Sequence, residues 1–142
     1  MSPENVEIVR GLYEAWKPGE ESAALELVDP DIEVEVLSTD AVDSAGTYRG
    51  HAGLRSMLAA FWDYFDDPRV EVEELVPTDD EVVAAVHFYG RGKTSGAEVD
   101  IRRGHVWTLR DGKAVRWRLF ASRRDALEAV GLRERADTLS DD

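Results

Sequence analysis

The chain has no cysteine in 142 residues, so disulfide scaffolds, thiolate nucleophiles and cysteine-ligated metals are excluded at once. It is also poor in base: 17 Lys and Arg stand against 30 Asp and Glu, a formal charge of −13. Such a chain repels phosphate backbones and anionic lipid headgroups, which argues against nucleic-acid and membrane-surface partners. No apolar run approaches the length that crosses a bilayer. The start, MSPENVEIV, has neither a basic nor an apolar region of a signal peptide, so a cytoplasmic protein is expected. The three histidines, His51, His87 and His105, are too scattered for a metal-ligand spacing, and no metal is expected. Glycine-rich phosphate loops and Gly-x-Ser-x-Gly elbows are missing too, leaving nucleophilic catalysis and nucleotide cofactors without a candidate.

What is present is a long alternating pattern from Glu98 to Ala121, broken by Arg110-Asp111-Gly112-Lys113. Asp-Gly tolerates the positive φ that closes a tight hairpin. With a period of two, one face carries Val99, Ile101, Arg103, His105, Trp107 and Leu109, then Val115, Trp117, Leu119 and Ala121. The opposite face mixes Val106 and Phe120 with Asp100, Arg102, Arg116 and Arg118, a composition suited to a homodimer contact. Arg103 and His105 are the polar exceptions in an apolar row, and they mark the place to seek function.

Upstream, Ser2-Pro3-Glu4 opens a helix whose stripe is Val6, Val9, Leu12, Tyr13 and Trp16; Lys17-Pro18-Gly19 stops it. A short helix over 20–28 ends at Asp29-Pro30-Asp31. Ile32, Val34 and Val36 alternate as a strand, and 38–46 reads as a loop. Thr47-Tyr48-Arg49-Gly50 leads into a third helix with Leu54, Met57, Leu58, Phe61, Trp62 and Phe65 on one stripe, closed by Asp66-Asp67-Pro68. Strands follow over 70–76, with a bulge at Glu73-Glu74, and over 82–92, nearly all apolar and so central. Ser122 to Asp125 caps a last helix that Gly131 ends. Helices gathered on one side of an antiparallel sheet make one α+β domain over 1–132, with a charged, frayed tail at 133–142.

Several stretches, taken together and in order, resemble the nuclear transport factor 2-like superfamily, in its SnoaL-like (polyketide cyclase-like) branch. They are Leu12-Tyr13-Glu14-Ala15-Trp16, Val28 to Val34, Tyr48-Arg49-Gly50-His51, Leu109 to Lys113, and Arg124 to Ala129. The resemblance implies a cone-shaped, strongly curved mixed or antiparallel sheet with helices over its concave side, the cystatin-like α+β roll. It also implies a pocket for a small hydrophobic molecule and cofactor-free acid/base chemistry. Ketosteroid isomerase, on the same fold, uses a helix-one tyrosine, a first-strand carboxylate base and a protonated strand aspartate. Tyr13 falls on the tyrosine and His105 on the strand aspartate. The carboxylate falls near Val36, or on Glu35 with a shift of one, so steroid isomerisation is not implied.

His105, Tyr13 and Arg103 are therefore the candidate catalytic residues, with His105 moving a proton and Tyr13 or Arg103 polarising an oxygen. Trp16, Tyr48, Trp62, Trp107 and Trp117 are the candidate binding residues. Each has a plainer reading: a core histidine, a rim arginine in a salt bridge, and aromatics that fill the pocket rather than line it. His87 and Tyr89 share one face of the central strand, and the pattern leaves open whether it meets the pocket. His51 reads as a first-turn residue, Asp40 and Asp43 as loop acids, and Glu71, Glu73 and Glu74 as a solvated strand face. A non-catalytic binding or interaction module of the same fold is the rival to an isomerase, dehydratase or cyclase, since the first strand offers no inward carboxylate.

Overall fold

The computed structural model describes residues 3–16, 20–37 and 46–132. In chain order the elements are α1 (Pro3–Glu14), α2 (Glu21–Leu25), β1 (Val28–Val36), β2 (Gly46–Arg49), α3 (Gly50–Tyr64), β3 (Phe65–Pro77), β4 (Glu81–Gly92), β5 (Glu98–Arg110), β6 (Lys113–Phe120) and α4 (Arg123–Ala129). The strands form one six-stranded sheet in the order β2-β1-β6-β5-β4-β3. All neighbours are antiparallel except β1 and β6, which are parallel. The sheet is thus mixed and the domain α+β.

The β5–β6 hairpin forms where the alternation places it. Asp111 (φ 53°) and Gly112 (φ 80°) both take positive φ in the turn. His105 pairs with Leu119 and Trp107 with Trp117, so imidazole and indoles share a face. The pairing then slips between Thr108 and Leu109, leaving Val115 as the bulged residue. Ala114, not Val115, consequently reaches the core and is fully buried. Its N–H reaches the Leu27 carbonyl at 3.0 Å, tying the hairpin to the start of β1.

Around α2 the boundaries differ from the sequence expectation. This helix is one turn long, and β1 begins at Val28, running through Asp29-Pro30-Asp31 instead of starting beyond it. Asp29 accepts the Asp31 N–H at 2.8 Å, and the register with β6 shifts between Val28 and Glu33, so the proline sits in an irregular stretch of strand. Residues 46–49, expected as a lead-in, pair with β1 as strand β2. Helix α3 stops at Tyr64, and Asp66-Asp67-Pro68 belong to β3, an edge strand that accommodates the proline with a shift between Asp66 and Arg69 and Asp67 at φ 50°. The slip at Glu73-Glu74 is present, between Val72 and Glu74. Strand β4 lies between β3 and β5 and is buried from Val82 to Phe88.

Two hydrophobic clusters occupy the two faces. The large one joins α1, α2, α3, β1 and the inner rows of β4, β5 and β6 through Val9, Leu12, Ile32, Val34, Leu54, Trp107 and Trp117. The small one joins Val83 and Val106 to Ala126 and Leu127 of α4. Helix α4 therefore lies on the opposite face from the other three, a correction to the one-sided expectation. Ser122 caps it by accepting the Asp125 N–H at 3.1 Å. Gly104 permits the contact, since a Cβ there would meet the Ser122 carbonyl oxygen at 2.4 Å and the Ala126 Cβ at 2.8 Å.

Val106 and Phe120, expected on an open outer face, are thus taken up by α4. The arginines of that face pair within the chain: Arg102 with Glu73, Arg116 with Glu35 and Arg118 with Glu81. Among the described residues no helix is long and apolar enough to cross a membrane. Ser2, Lys17-Pro18-Gly19, Asp40, Asp43 and the tail at 133–142 lie outside the described residues.

Candidate functional site

Helix α1 brings Tyr13 against the inner row of β5. Its hydroxyl lies 2.6 Å from His105 Nδ1, across 92 residues of sequence, and accepts the Trp107 Nε1–H at 2.8 Å. The indole can only donate, so the phenolic hydrogen is left for the imidazole. Neutral His105 then accepts at Nδ1 and carries its own hydrogen on Nε2. All three side chains are buried, with Tyr13 and His105 each 6% exposed.

Burial sets the electrostatics. It pushes the His105 imidazole down to about 3, and the nearby Arg103 cation acts in the same direction. Burial also raises the Tyr13 phenol well above its ordinary value. The Trp107 N–H opposes that rise, as does the Trp117 N–H more weakly, though the latter has no acceptor in hydrogen-bond geometry. The pair is therefore neutral at physiological pH. Arg103 shares the inner row but spends a guanidinium nitrogen on the Arg102 carbonyl at 2.9 Å.

Next to this pair is a small hollow of about 20 Å³, room for about one water molecule. Its walls are Leu12, Trp16, Leu54, Leu58, Trp62, Trp107 and Trp117, closed off by Ala15, Ala24 and Val28. All four tryptophans of the chain meet there. The indoles of Trp107 and Trp117 stack at 4.4 Å with 12° between planes, and Trp16 stands edge-on to Trp117 at 4.9 Å. The Nε1–H groups of Trp16, Trp62 and Trp117 are buried without an acceptor among the described residues.

Of the expected binding residues, the four tryptophans line the hollow. Tyr48 does not; it packs on the rim of the core, near Gly53. Tyr13 and His105 sit behind Trp16, Trp107 and Trp117 and not on the wall itself. Leu54 and Leu58 were legible only as a helix stripe at i and i+4, which does not separate wall from core. Val36, not Glu35, packs against the core, while Glu35 pairs outward with Arg116, so the first strand presents no carboxylate to the hollow. His87 and Tyr89 point the other way: His87 Nε2 meets Asp100 Oδ1 at 2.5 Å and Tyr89 donates to Glu71. His51 Nε2 donates to the Val28 carbonyl at 2.9 Å, a strut between α3 and β1. Among the described residues no three His, Asp or Glu side chains gather closely enough to suggest a metal.

A SnoaL-like domain model matches residues 9–117, which includes Tyr13, His105 and all four tryptophans. The chain belongs to the SnoaL-like domain family. Among solved structures it is similar to TerC co-crystallised with polyporic acid: 25% identity, 84% of this chain and 92% of TerC covered, TM-score 0.74. A candidate SnoaL-like polyketide cyclase from Jannaschia sp. CCS1 is 23% identical over 84% of this chain and 88% of its own, with a TM-score of 0.74. An NTF2-like protein of unknown function from Burkholderia pseudomallei is 19% identical over 92% and 99%, with a TM-score of 0.75. Comparison with curated proteins gives no match. These likenesses agree with the nuclear transport factor 2-like architecture; ketosteroid isomerase-like and cystatin-like neighbours share it.

Proposed function

We propose that this SnoaL-like protein binds a small, flat, uncharged molecule bearing a carbonyl or similar oxygen, in the space walled by the tryptophans. One observation carries the reading: three of the indoles that line one apolar hollow carry buried N–H groups with no acceptor among the described residues. A buried unpaired donor costs about 1–3 kcal/mol, and most such groups in folded proteins are paired. An oxygen acceptor entering beside Trp62 and Trp117 relieves part of that cost, and the aromatic walls suit a flat apolar body. A charged ligand does not fit, because among the described residues the wall contains no charged side chain. TerC, co-crystallised with polyporic acid, supports a small-molecule role on this fold.

Binding is favoured over turnover. An imidazole held near 3 is a weak base at neutral pH, and among the described residues no inward carboxylate replaces it. The hydrogen-bonded Tyr13–His105 pair supports acid/base isomerisation, dehydration or cyclisation as the second reading, with Tyr13 polarising a carbonyl. The flat ketone 1-indanone separates the two. Calorimetry is expected to show saturable binding, weakened about tenfold by Trp62→Phe, which removes an N–H and keeps a ring. In heavy water the binding reading expects no enzyme-dependent exchange of the α-protons of 1-indanone. Exchange that Tyr13→Phe abolishes supports the second reading, and no binding at millimolar concentration overturns the first.

A further inference from the structure

The hollow has space for water but not for a bicyclic molecule, so the proposed binding requires one wall to move. Trp107 is fixed by its bond to Tyr13 and by stacking on Trp117, and both are almost fully buried. Trp62 belongs to the body of α3 and packs edge-on to Phe61 at 5.1 Å. Trp16 is different. It lies two residues beyond the end of α1, held there by its own N–H on the Tyr13 carbonyl at 3.1 Å. Like Trp62 it is partly exposed with an indole N–H that has no acceptor among the described residues, but of the four tryptophans it alone both lines the hollow and stacks on the Tyr13–His105 pair. Its plane lies 16° from that of Tyr13 at 5.4 Å and 26° from that of His105 at 6.3 Å.

We infer that Trp16 is the partition between the hollow and the Tyr13–His105 pair, and that an aromatic bicycle of indole size binds by taking the place of the Trp16 ring. The inference rests on the binding reading above and sharpens it to fused two-ring aromatics. Tyr13 and His105 form a nearly coplanar floor; Trp117 supplies an edge-on wall at 4.9 Å from the displaced ring. A bicycle in that slot recovers the stacking that Trp16 gives up. The Trp16 N–H, unpartnered inside, gains water outside. Trp16 thus selects for size: one ring leaves the slot half-filled, and three rings meet Trp117.

The test is nuclear Overhauser contacts of 1-indanone on the whole chain, with calorimetry on wild type, Trp16→Ala and Trp16→Leu. The expected result is contacts from the aromatic protons of 1-indanone to the rings of Tyr13 and His105, loss of the Trp16–Tyr13 contacts, and at least tenfold tighter binding by Trp16→Ala. Trp16→Leu, which keeps more apolar fill, serves if the alanine variant loses its circular-dichroism signature. Binding with the Trp16–Tyr13 contacts intact, and equal affinity in the variants, overturns the partition and leaves the hollow reading standing. No binding by wild type or either variant overturns both.

Discussion

Lowering the pH from 7 to 5 is the sharpest probe of the buried pair. In the unfolded chain the His105 imidazole takes a proton near 6.5; in the fold it resists until about 3. Between those values the unfolded state binds a proton that the folded state excludes. Stability from this group is therefore complete above 6.5 and drains away as pH falls toward 3. Each unit of difference is worth about 1.4 kcal/mol, so the step from pH 7 to 5, of which about 1.5 units lie below 6.5, removes about 2 kcal/mol. With a urea dependence of about 1–3 kcal/mol per molar, the unfolding midpoint drops by about 1 M at unchanged slope. His105→Gln, which cannot titrate, is expected to lose most of that drop. A wild-type midpoint equal at the two pH values, or a His105 ring resonance titrating between 6 and 7 in the folded protein, refutes the reasoning.

Three further perturbations bear on the same framework. Tyr13→Phe strands the Trp107 N–H and His105 Nδ1 together and is expected to cost about 2–4 kcal/mol in urea unfolding; a cost under about 0.5 kcal/mol shows that the two bonds contribute little. Gly104→Ala drives a methyl into the Ser122 carbonyl at 2.4 Å and is expected to destabilise by about 2–3 kcal/mol, while Gly96→Ala, with open space around it, shows only the cost of its positive φ. Gly112→Ala forces an alanine to φ 80° in the hairpin turn and is expected to cost about 1–2 kcal/mol, read as a lower melting temperature.

The hairpin was legible because its two arms alternate cleanly and Asp111-Gly112 can take only a few turn geometries. The same period put His105, Trp107 and Trp117 on one face, as found. Legibility failed where a local pattern had to be weighed against distant pairing. Asp66-Asp67-Pro68 reads as a terminator, yet an edge strand needs no ladder N–H from a proline on its open side, and β3 runs through it. Strand β2 is four residues long and has no alternation to show; its partner β1 creates it. The last helix has an evident cap, but nothing in its own residues says which sheet face it covers. Gly104 was the available signal, a glycine inside a strand where a backbone approaches closely.

At the site, the residue types were readable and their contacts were not. Tyr13 and His105 were each marked, but a bond between positions 92 residues apart has no trace in local pattern. Four tryptophans on inward stripes could equally wall a large pocket or fill a small one. The structure decides: they leave about 20 Å³. Arg103 shows the converse failure, since its row position was right while its guanidinium turns to backbone carbonyls of the chain.

On the proposed binding mode the unpartnered indole donors meet an oxygen acceptor or water, and the four indole N–H cross-peaks report on it directly. During a titration with 1-indanone, the resonances of Trp16, Trp62 and Trp117 are expected to move saturably, while Trp107, already bonded to Tyr13, moves least. Four stationary cross-peaks at millimolar 1-indanone contradict the account.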